Sequence, residues 1–339
     1  MVPDDIERII LAHGGGGELT SRLLAEHILP HLGNELLNPL GDGAILPAES
    51  GRLCLTTDSF VVQPLTFPGG DIGRLAVCGT VNDLAMMGAR PLALSLSLII
   101  EEGLPLAMLD RIIGSIADTA AEAGIRIATG DTKVIERQRG DGLLINTTGL
   151  GSVADSTDLS PGRIVAGDEL VITGNLAEHG LAVMAVREGL GLTTRIESDV
   201  APLADLAQQL VVGRPAVKFL RDPTRGGLAG VLADLVSETG LGIEVDENAL
   251  PIAPRVQHAA ELLGLDPLTV ANEGKIVLVC SPEATAAVLA ICHSHQYGRK
   301  ATRIGTFVAS EPPLAELVTK IGGHRLIQRP YGEELPRIC

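Results

Sequence analysis

Four aspartates stand in short polar or glycine-bearing segments of the first half of the chain. They are Asp42 in Gly41-Asp42-Gly43, Asp58 in Thr56-Thr57-Asp58, Asp83 in Val81-Asn82-Asp83 and Asp131 in Gly130-Asp131-Thr132-Lys133. One aspartate beside glycine is usually a turn residue. Four in one α+β unit suggest a metal-phosphate site, because Mg2+ takes carboxylate oxygens together with substrate phosphates. Spacing alone does not show that they converge. Lys133 is placed to pair with a γ-phosphate, and without Asp131 beside it would be an ordinary surface lysine. The run His13-Gly14-Gly15-Gly16-Gly17 cannot form a helix or strand interior. It reads as a loop whose backbone amides approach a ligand, with His13 as a contact to phosphate or tail. A lone histidine is more often structural.

The last residue, Cys339, closes the segment Pro336-Arg337-Ile338-Cys339. Chain ends are commonly frayed, whereas an unpaired cysteine is commonly a small buried hydrophobe. A terminal thiol can instead enter another protein's pocket; taken alone, it is more simply a chance residue. Its ordinary pKa is about 8.5, and the adjacent carboxylate does not help it ionise. Cationic help, from Arg337 or a partner, is expected. Cys54, Cys78, Cys280 and Cys292 lie in apolar surroundings and are expected in the core. No CxxC pair occurs among the five cysteines, so a reducing cytoplasm is the simplest setting.

The elements that must position these residues follow from periodicity. The helix expected near 20–29 is followed by a strand over 53–57, a helix over 70–87 and a strand over 91–100. An amphipathic helix over 106–123 stops at Gly124, and strands follow over 125–134 and 143–149. Residues 156–167 carry Pro161, Gly162 and Gly167 and read as an interdomain connection. A second α/β pattern has strands over 169–173, 276–280 and 303–308, with helices near 181–188, 202–212 and 283–292. Another helix starts after Asp222-Pro223-Thr224-Arg225-Gly226-Gly227. That segment is equally a helix start and an anion site with Arg225. The expected organisation is an N-terminal Gly-rich segment (1–40), a domain over 41–155, a second over 165–321, and a weakly packed mobile tail over 322–339. The fold class is α+β, with helices on one face of a mixed sheet.

Composition narrows the functions. With 339 residues, 45% of them hydrophobic, the chain can build two cores, yet it has no Trp and only four Phe. A net charge of −16 disfavours nucleic acid or anionic membrane as partners. No P-loop GxxxxGK[ST] occurs, and no GxGxxG follows a strand. A phosphate site would therefore rest on glycine-loop amides and bridging Mg2+.

Taken in order, His13-Gly14-Gly15-Gly16-Gly17, Thr56-Thr57-Asp58-Ser59, Val81 through Ala89, Gly130-Asp131-Thr132-Lys133-Val134 and Asp222 through Leu228 resemble the aminoimidazole-ribonucleotide synthetase (PurM-like) superfamily. The terminal Pro336-Arg337-Ile338-Cys339 narrows the resemblance to its carbamoyl dehydratase (HypE) family. Selenophosphate synthetases share the scaffold but carry their reactive residue near the N-terminus, where this chain has only the Gly run. The resemblance implies a two-domain PurM-like fold and ATP with Mg2+. It implies dehydration of an S-carboxamide on Cys339 to a thiocyanate, with cyanide passing to the iron of [NiFe] hydrogenase. It also implies a homodimer, loading by a HypF-like carbamoyltransferase and unloading to a HypC-HypD-like iron scaffold. By the same resemblance, Glu273 in Ala271-Asn272-Glu273-Gly274-Lys275 and Lys133 act beside Cys339. His13, Gly14, Gly15, Gly16, Asp42, Asp58, Asn82, Asp83, Asp131 and Thr132 bind the nucleotide, with the four aspartates on metal. Otherwise Glu273 would be a solvated turn residue. Two other possibilities stay open: a carrier on which other proteins act, and a small-molecule ATP-dependent synthetase with an incidental terminal thiol.

Overall fold

In the computed structural model, residues 17–23, 25–26, 44–48, 51–189, 196–214, 216–332 and 337–339 are described. A short helix, α1 (Glu18–Leu23), precedes the first sheet. That sheet contains β1 (Ala44–Ala48), β2 (Gly51–Phe60), β5 (Arg90–Glu101), β6 (Ile127–Ile135) and β7 (Leu143–Val153), in the order β1-β2-β7-β5-β6. A small ribbon of β3 (Thr66–Phe67) and β4 (Gly70–Asp71) leads into helix α2 (Ile72–Met86). Within the first sheet, among the described residues, only β5 and β6 run parallel, joined by helix α3 (Leu106–Glu122) as their crossover.

Helix α2 is expected over 70–87 and begins two residues later, because the Asp71 side chain caps it by accepting from the Arg74 N–H at 2.9 Å. Every residue of α2 except Arg74 and Asp83 is buried. A helix apolar all round belongs between two layers, and α2 lies between the first sheet and the second unit. Gly149 on β7 permits this approach. A Cβ there would stand 2.8 Å from Thr80 Cγ2 and 2.9 Å from Leu84 Cδ1. Burial alternates along β7: Leu143, Ile145 and Thr147 are buried, while Leu144, Asn146 and Thr148 are half-buried on the other, open face.

The second unit carries β8 (Glu169–Ile172), helices α4 (Glu178–Arg187) and α5 (Ala204–Val211), β9 (Val217–Arg221), and helix α6 (Gly227–Thr239). It continues with β10 (Gly242–Asp246), α7 (Pro254–Leu263), β11 (Val277–Cys280), α8 (Thr285–Ser294), β12 (Thr302–Val308), β13 (Ala315–Val318) and β14 (His324–Leu326). The sheet order is β14-β13-β10-β12-β8-β11-β9. Strands β10, β13 and β14 and helix α7 are not anticipated by the sequence pattern.

Two expectations are corrected here. The chain after Gly322 is not uniformly a weakly packed tail. Strand β14 pairs with β13, and Ile327 is buried in the second core with its N–H on the Ala315 carbonyl at 2.8 Å. Nor are there simply two separate cores. The largest apolar cluster joins Phe60, Leu75 and Ile112 of the first unit to Leu206, Leu278 and Val288 of the second. The four internal cysteines are buried as expected. Burial pushes the thiols of Cys78 and Cys292 up, the latter to about 12, so neither is a ready nucleophile.

Candidate functional site

Residues 337–339 lie against both units rather than projecting into solvent. The Arg337 carbonyl accepts from the Gln63 N–H at 3.2 Å and from Arg187 Nη2 at 2.6 Å. Its guanidinium pairs with Asp141 at 2.7 Å. Ile338 is buried, and its carbonyl meets His179 Nε2 at 3.0 Å. Cys339, half-buried, packs against the shared core.

Cys339, Asp58, Asp83 and Glu273 all act electrostatically on Arg225. Negative charge at Cys339 is the strongest influence holding the proton on Arg225, ahead of the carboxylates of Asp58, Asp83 and Glu273. Arg225 Nη2 stands 3.4 Å from Asp58 Oδ1. Burial raises the Asp58 carboxyl, a tendency that Arg225 and the Ser59 N–H oppose. Asp83, the one acidic residue of α2, accepts from the Thr56 hydroxyl at 2.9 Å. Within Asp222 through Gly227, the N-cap of α6 is Gly226, with no side-chain cap from Asp222 or Thr224, and Arg225 faces the carboxylate of Asp58.

Glu273 is not a solvated turn residue. It is 2% exposed, and its Oε1 has no hydrogen-bond partner among the described residues. Burial first, then the charges of Asp222, Asp199 and Asp58, raise its carboxyl well above the ordinary carboxylate range. Its loop is held on all sides. Asp199 accepts from the Glu273 and Gly274 N–H groups, each at 3.2 Å, and pairs with Lys275 at 3.2 Å. The Asn272 side chain accepts from the Ala177 N–H at 2.7 Å and donates to the Pro223 carbonyl at 3.1 Å. Gly274 is obligatory, since a Cβ would fall 1.8 Å from the Asp199 carbonyl oxygen.

The proposed four-carboxylate metal set is divided by the first sheet. Pairing places Asp131, Ser97, Asn146 and Ser59 in one row, with Asp58 one residue out of step. Side chains alternate, so Asp131 faces the open side while Asp58 faces α2. Lys133 shares the open side and lies 3.7 Å from Asp131, both well exposed. Within one chain neither belongs to the group that acts on Arg225. Asp42, His13, Gly14, Gly15 and Gly16 fall outside the described residues, as does the side chain of Thr132. Among the described residues, no three acidic, histidine or cysteine side chains form a metal cluster. Asp58 and Asp83 still suit a magnesium-phosphate ligand. Both are hard oxygen donors, and burial leaves Asp58 short of the positive charge that a divalent ion carries.

Asn82, expected to touch nucleotide, has a different task. Fully buried, it donates to the carbonyls of Ala201 at 3.0 Å and Glu273 at 3.3 Å, and accepts from the Leu203 N–H at 2.8 Å. It ties α2 to the second unit. Asn82→Ala is expected to cost about 2–3 kcal/mol, seen as a shift in the urea midpoint, because three buried partners lose their bonds. An unchanged midpoint would refute this role.

Sequence reasoning missed His179, Arg187, Gln63, Asp199 and Asn272. Only Asn272 stands in a segment singled out from the sequence, as the neighbour of Glu273, and His179 has only the weak signal of a lone histidine.

The two units correspond to known domain models. Residues 40–153 match the AIR synthase related protein N-terminal domain, and residues 165–313 match its C-terminal domain. The carbamoyl dehydratase HypE of Cupriavidus necator is 46% identical over 333 residues, covering 98% of this chain and 95% of that protein. A HypE in a solved HypE-HypF complex superposes with a TM-score of 0.86 at 44% identity, covering 91% of this chain and 99% of that one. A hydrogenase maturation protein HypE solved with ATP gives a TM-score of 0.82 at 40% identity, over 98% and 100% of the two chains. The chain belongs to the carbamoyl dehydratase HypE family of AIR synthase related proteins. No helix among the described residues is long and apolar enough to cross a membrane.

Proposed function

We propose that the chain uses ATP to dehydrate an S-carboxamide carried on Cys339 to an S-thiocyanate, supplying cyanide for the iron of [NiFe] hydrogenase. The observation that carries this is the docking of residues 337–339, which brings Cys339 into the field of Arg225, the same guanidinium that Asp58 and Glu273 act on. A carboxamide oxygen is a poor leaving group. Transfer of the γ-phosphoryl group to it, followed by loss of phosphate and of the N–H protons, leaves the C≡N triple bond on sulfur. Bound Mg2+ would neutralise charge on the phosphates. Asp58 and Asp83 are the described residues suited to hold it, with Asp42 and Asp131 as further candidates.

Glu273 is the proposed base. A carboxyl raised by burial is a stronger proton acceptor once ionised, and Arg225 favours that ionised form. Arg225 also faces the negative charge that develops at oxygen. The thiol must also be loaded and unloaded, which calls for a HypF-like carbamoyltransferase and a HypC-HypD-like iron scaffold as partners. The HypE-HypF complex of a relative supports the first.

The open face of the first sheet supports a homodimer. Leu55 and Ile99 are 42% and 37% exposed on it, beside Asp131 and Lys133. Pairing of two such faces would bring Asp131 and Lys133 toward a second protomer, giving them the role that one chain denies them. Lys133→Ala is then expected to leave the tail as carboxamide, read by mass spectrometry of the intact chain. A folded variant that still forms thiocyanate removes Lys133 from the mechanism. The decisive test loads Cys339 with a carbamoyl group and adds Mg-ATP. Loss of one water with formation of ADP supports the enzyme; ADP without water loss, or no change, leaves only a carrier.

A further inference from the structure

His179 is the point where the C-terminal segment meets the frame that holds Glu273. The ring is completely buried, and both nitrogens are engaged. A carbonyl oxygen can only accept, so the 3.0 Å contact to Ile338 requires the proton on Nε2. Ser198 Oγ accepts from the Val200 N–H at 3.1 Å and lies 2.7 Å from Nδ1, to which its hydroxyl can donate. With the hydroxyl donating, the ring is neutral and carries its proton on Nε2. Burial, which disfavours the charged imidazole, acts in the same direction. Phe67 stands edge-on to it, with centroids 5.4 Å apart, and limits its rotation.

Both sides of this ring lead to Glu273. Ser198 precedes Asp199, whose carboxylate accepts from the Glu273 N–H. His179 lies in the first turn of α4, where the Gly180 N–H donates to the Ala271 carbonyl at 3.1 Å and the Ala177 N–H to Asn272. The carbonyl one residue before the thiol and the backbone of Glu273 are therefore fixed to one frame. The preceding carbonyl, of Arg337, is held separately by Gln63 and Arg187.

We propose that His179 is a positioning residue for the thiol-bound carboxamide. Its Nε2–H bond to the Ile338 carbonyl, with Gln63 and Arg187 on the carbonyl before it, sets where the Cys339 sulfur stands relative to Glu273. The contacts recognise backbone, so they fix register along the tail rather than side-chain identity. This rests on the dehydration proposed above. A tail held one bond short of its place loses the near-attack geometry, which is worth orders of magnitude in rate.

The test uses the full chain with a nitroxide label on Cys339 and, separately, with the carbamoylated thiol. His179→Leu removes the donor, His179→Gln keeps an N–H at similar reach, and Arg187→Leu weakens the neighbouring carbonyl contact from a half-buried position. The wild-type spin-label spectrum is expected to be immobilised, as is that of His179→Gln. His179→Leu and Arg187→Leu are expected to show a mobile component. In single turnover, His179→Leu should dehydrate about 10–100-fold more slowly, with KM for ATP unchanged and His179→Gln largely restored. An immobilised label in His179→Leu, or wild-type turnover with a mobile one, overturns the proposal. If His179→Leu does not fold, Arg187→Leu decides by the same two readouts. Failure of the wild-type chain to lose water would sink the dehydration itself, while the label would still report whether His179 holds the tail.

Discussion

Cys339→Ser is expected to abolish thiocyanate formation completely while leaving the fold unchanged within about 0.5 kcal/mol. On the proposed reaction the sulfur of Cys339 carries the carboxamide, and the other described cysteines are poorly placed to replace it. Cys54, Cys78, Cys280 and Cys292 are buried, and burial pushes the thiols of Cys78, Cys280 and Cys292 away from ionisation. Serine keeps the size of the side chain but lacks a nucleophile that ionises near neutral pH. The measurement is intact-mass analysis after incubation with a carbamoyl donor, its transferase and Mg-ATP, alongside a melting curve. Cyanide transfer by the serine variant would show that the carrier atom lies elsewhere. Turnover of a free small molecule by that variant would revive the plain synthetase alternative.

Glu273→Gln should separate activity from stability, moving them in opposite directions. Removal of a positioned base is expected to lower single-turnover dehydration by 10²–10⁴-fold, on the order of general-base effects. Stability at neutral pH should rise by ~1 kcal/mol, or about 2–4 °C in Tm. In the unfolded chain the carboxyl ionises near pH 4.3. In the fold it holds its proton well above that range. Below the unfolded value both states are protonated, and Glu273 imposes no titration cost. Above it only the unfolded state releases the proton, so wild-type stability is lost as pH rises toward the folded pKa. Glutamine does not titrate, and the gap between the two proteins should open from near zero at about pH 4 toward neutrality. Melting curves across that range, paired with turnover, test both halves. A glutamine variant that is active, or one whose stability gap ignores pH, would refute the role.

Much of the scaffold is legible locally. The Leu and Ser alternation of β5, the apolar face of α3 and the Gly124 stop are properties of adjacent residues, and each element falls within a few residues of its expected place. Which aspartates can converge is not legible in the same way. Asp58 and Asp131 lie on different strands, and whether they share a face depends on register across β7 and β5. One residue of offset reverses the answer. Glu273 is harder still, because Asp199, Asn82 and Asn272 hold it through contacts spanning up to 191 residues of sequence. Its flanking asparagine and glycine look like turn residues because their partners are remote. Short strands such as β10 and β13 offer too few residues for a period to emerge.

The apolar cluster that runs from Phe60 and Leu75 through Leu206 to Leu278 and Val288 constrains how the molecule can work. Opening the two units like a clamshell would bring those side chains into water, at ~25 cal/mol for each Å2 uncovered. Asp58 on the first unit and Arg225 and Glu273 on the second are thus held at a fixed separation, an anvil rather than a jaw. On the proposed reaction, movement between loading, dehydration and unloading would fall to the segment that bears the sulfur.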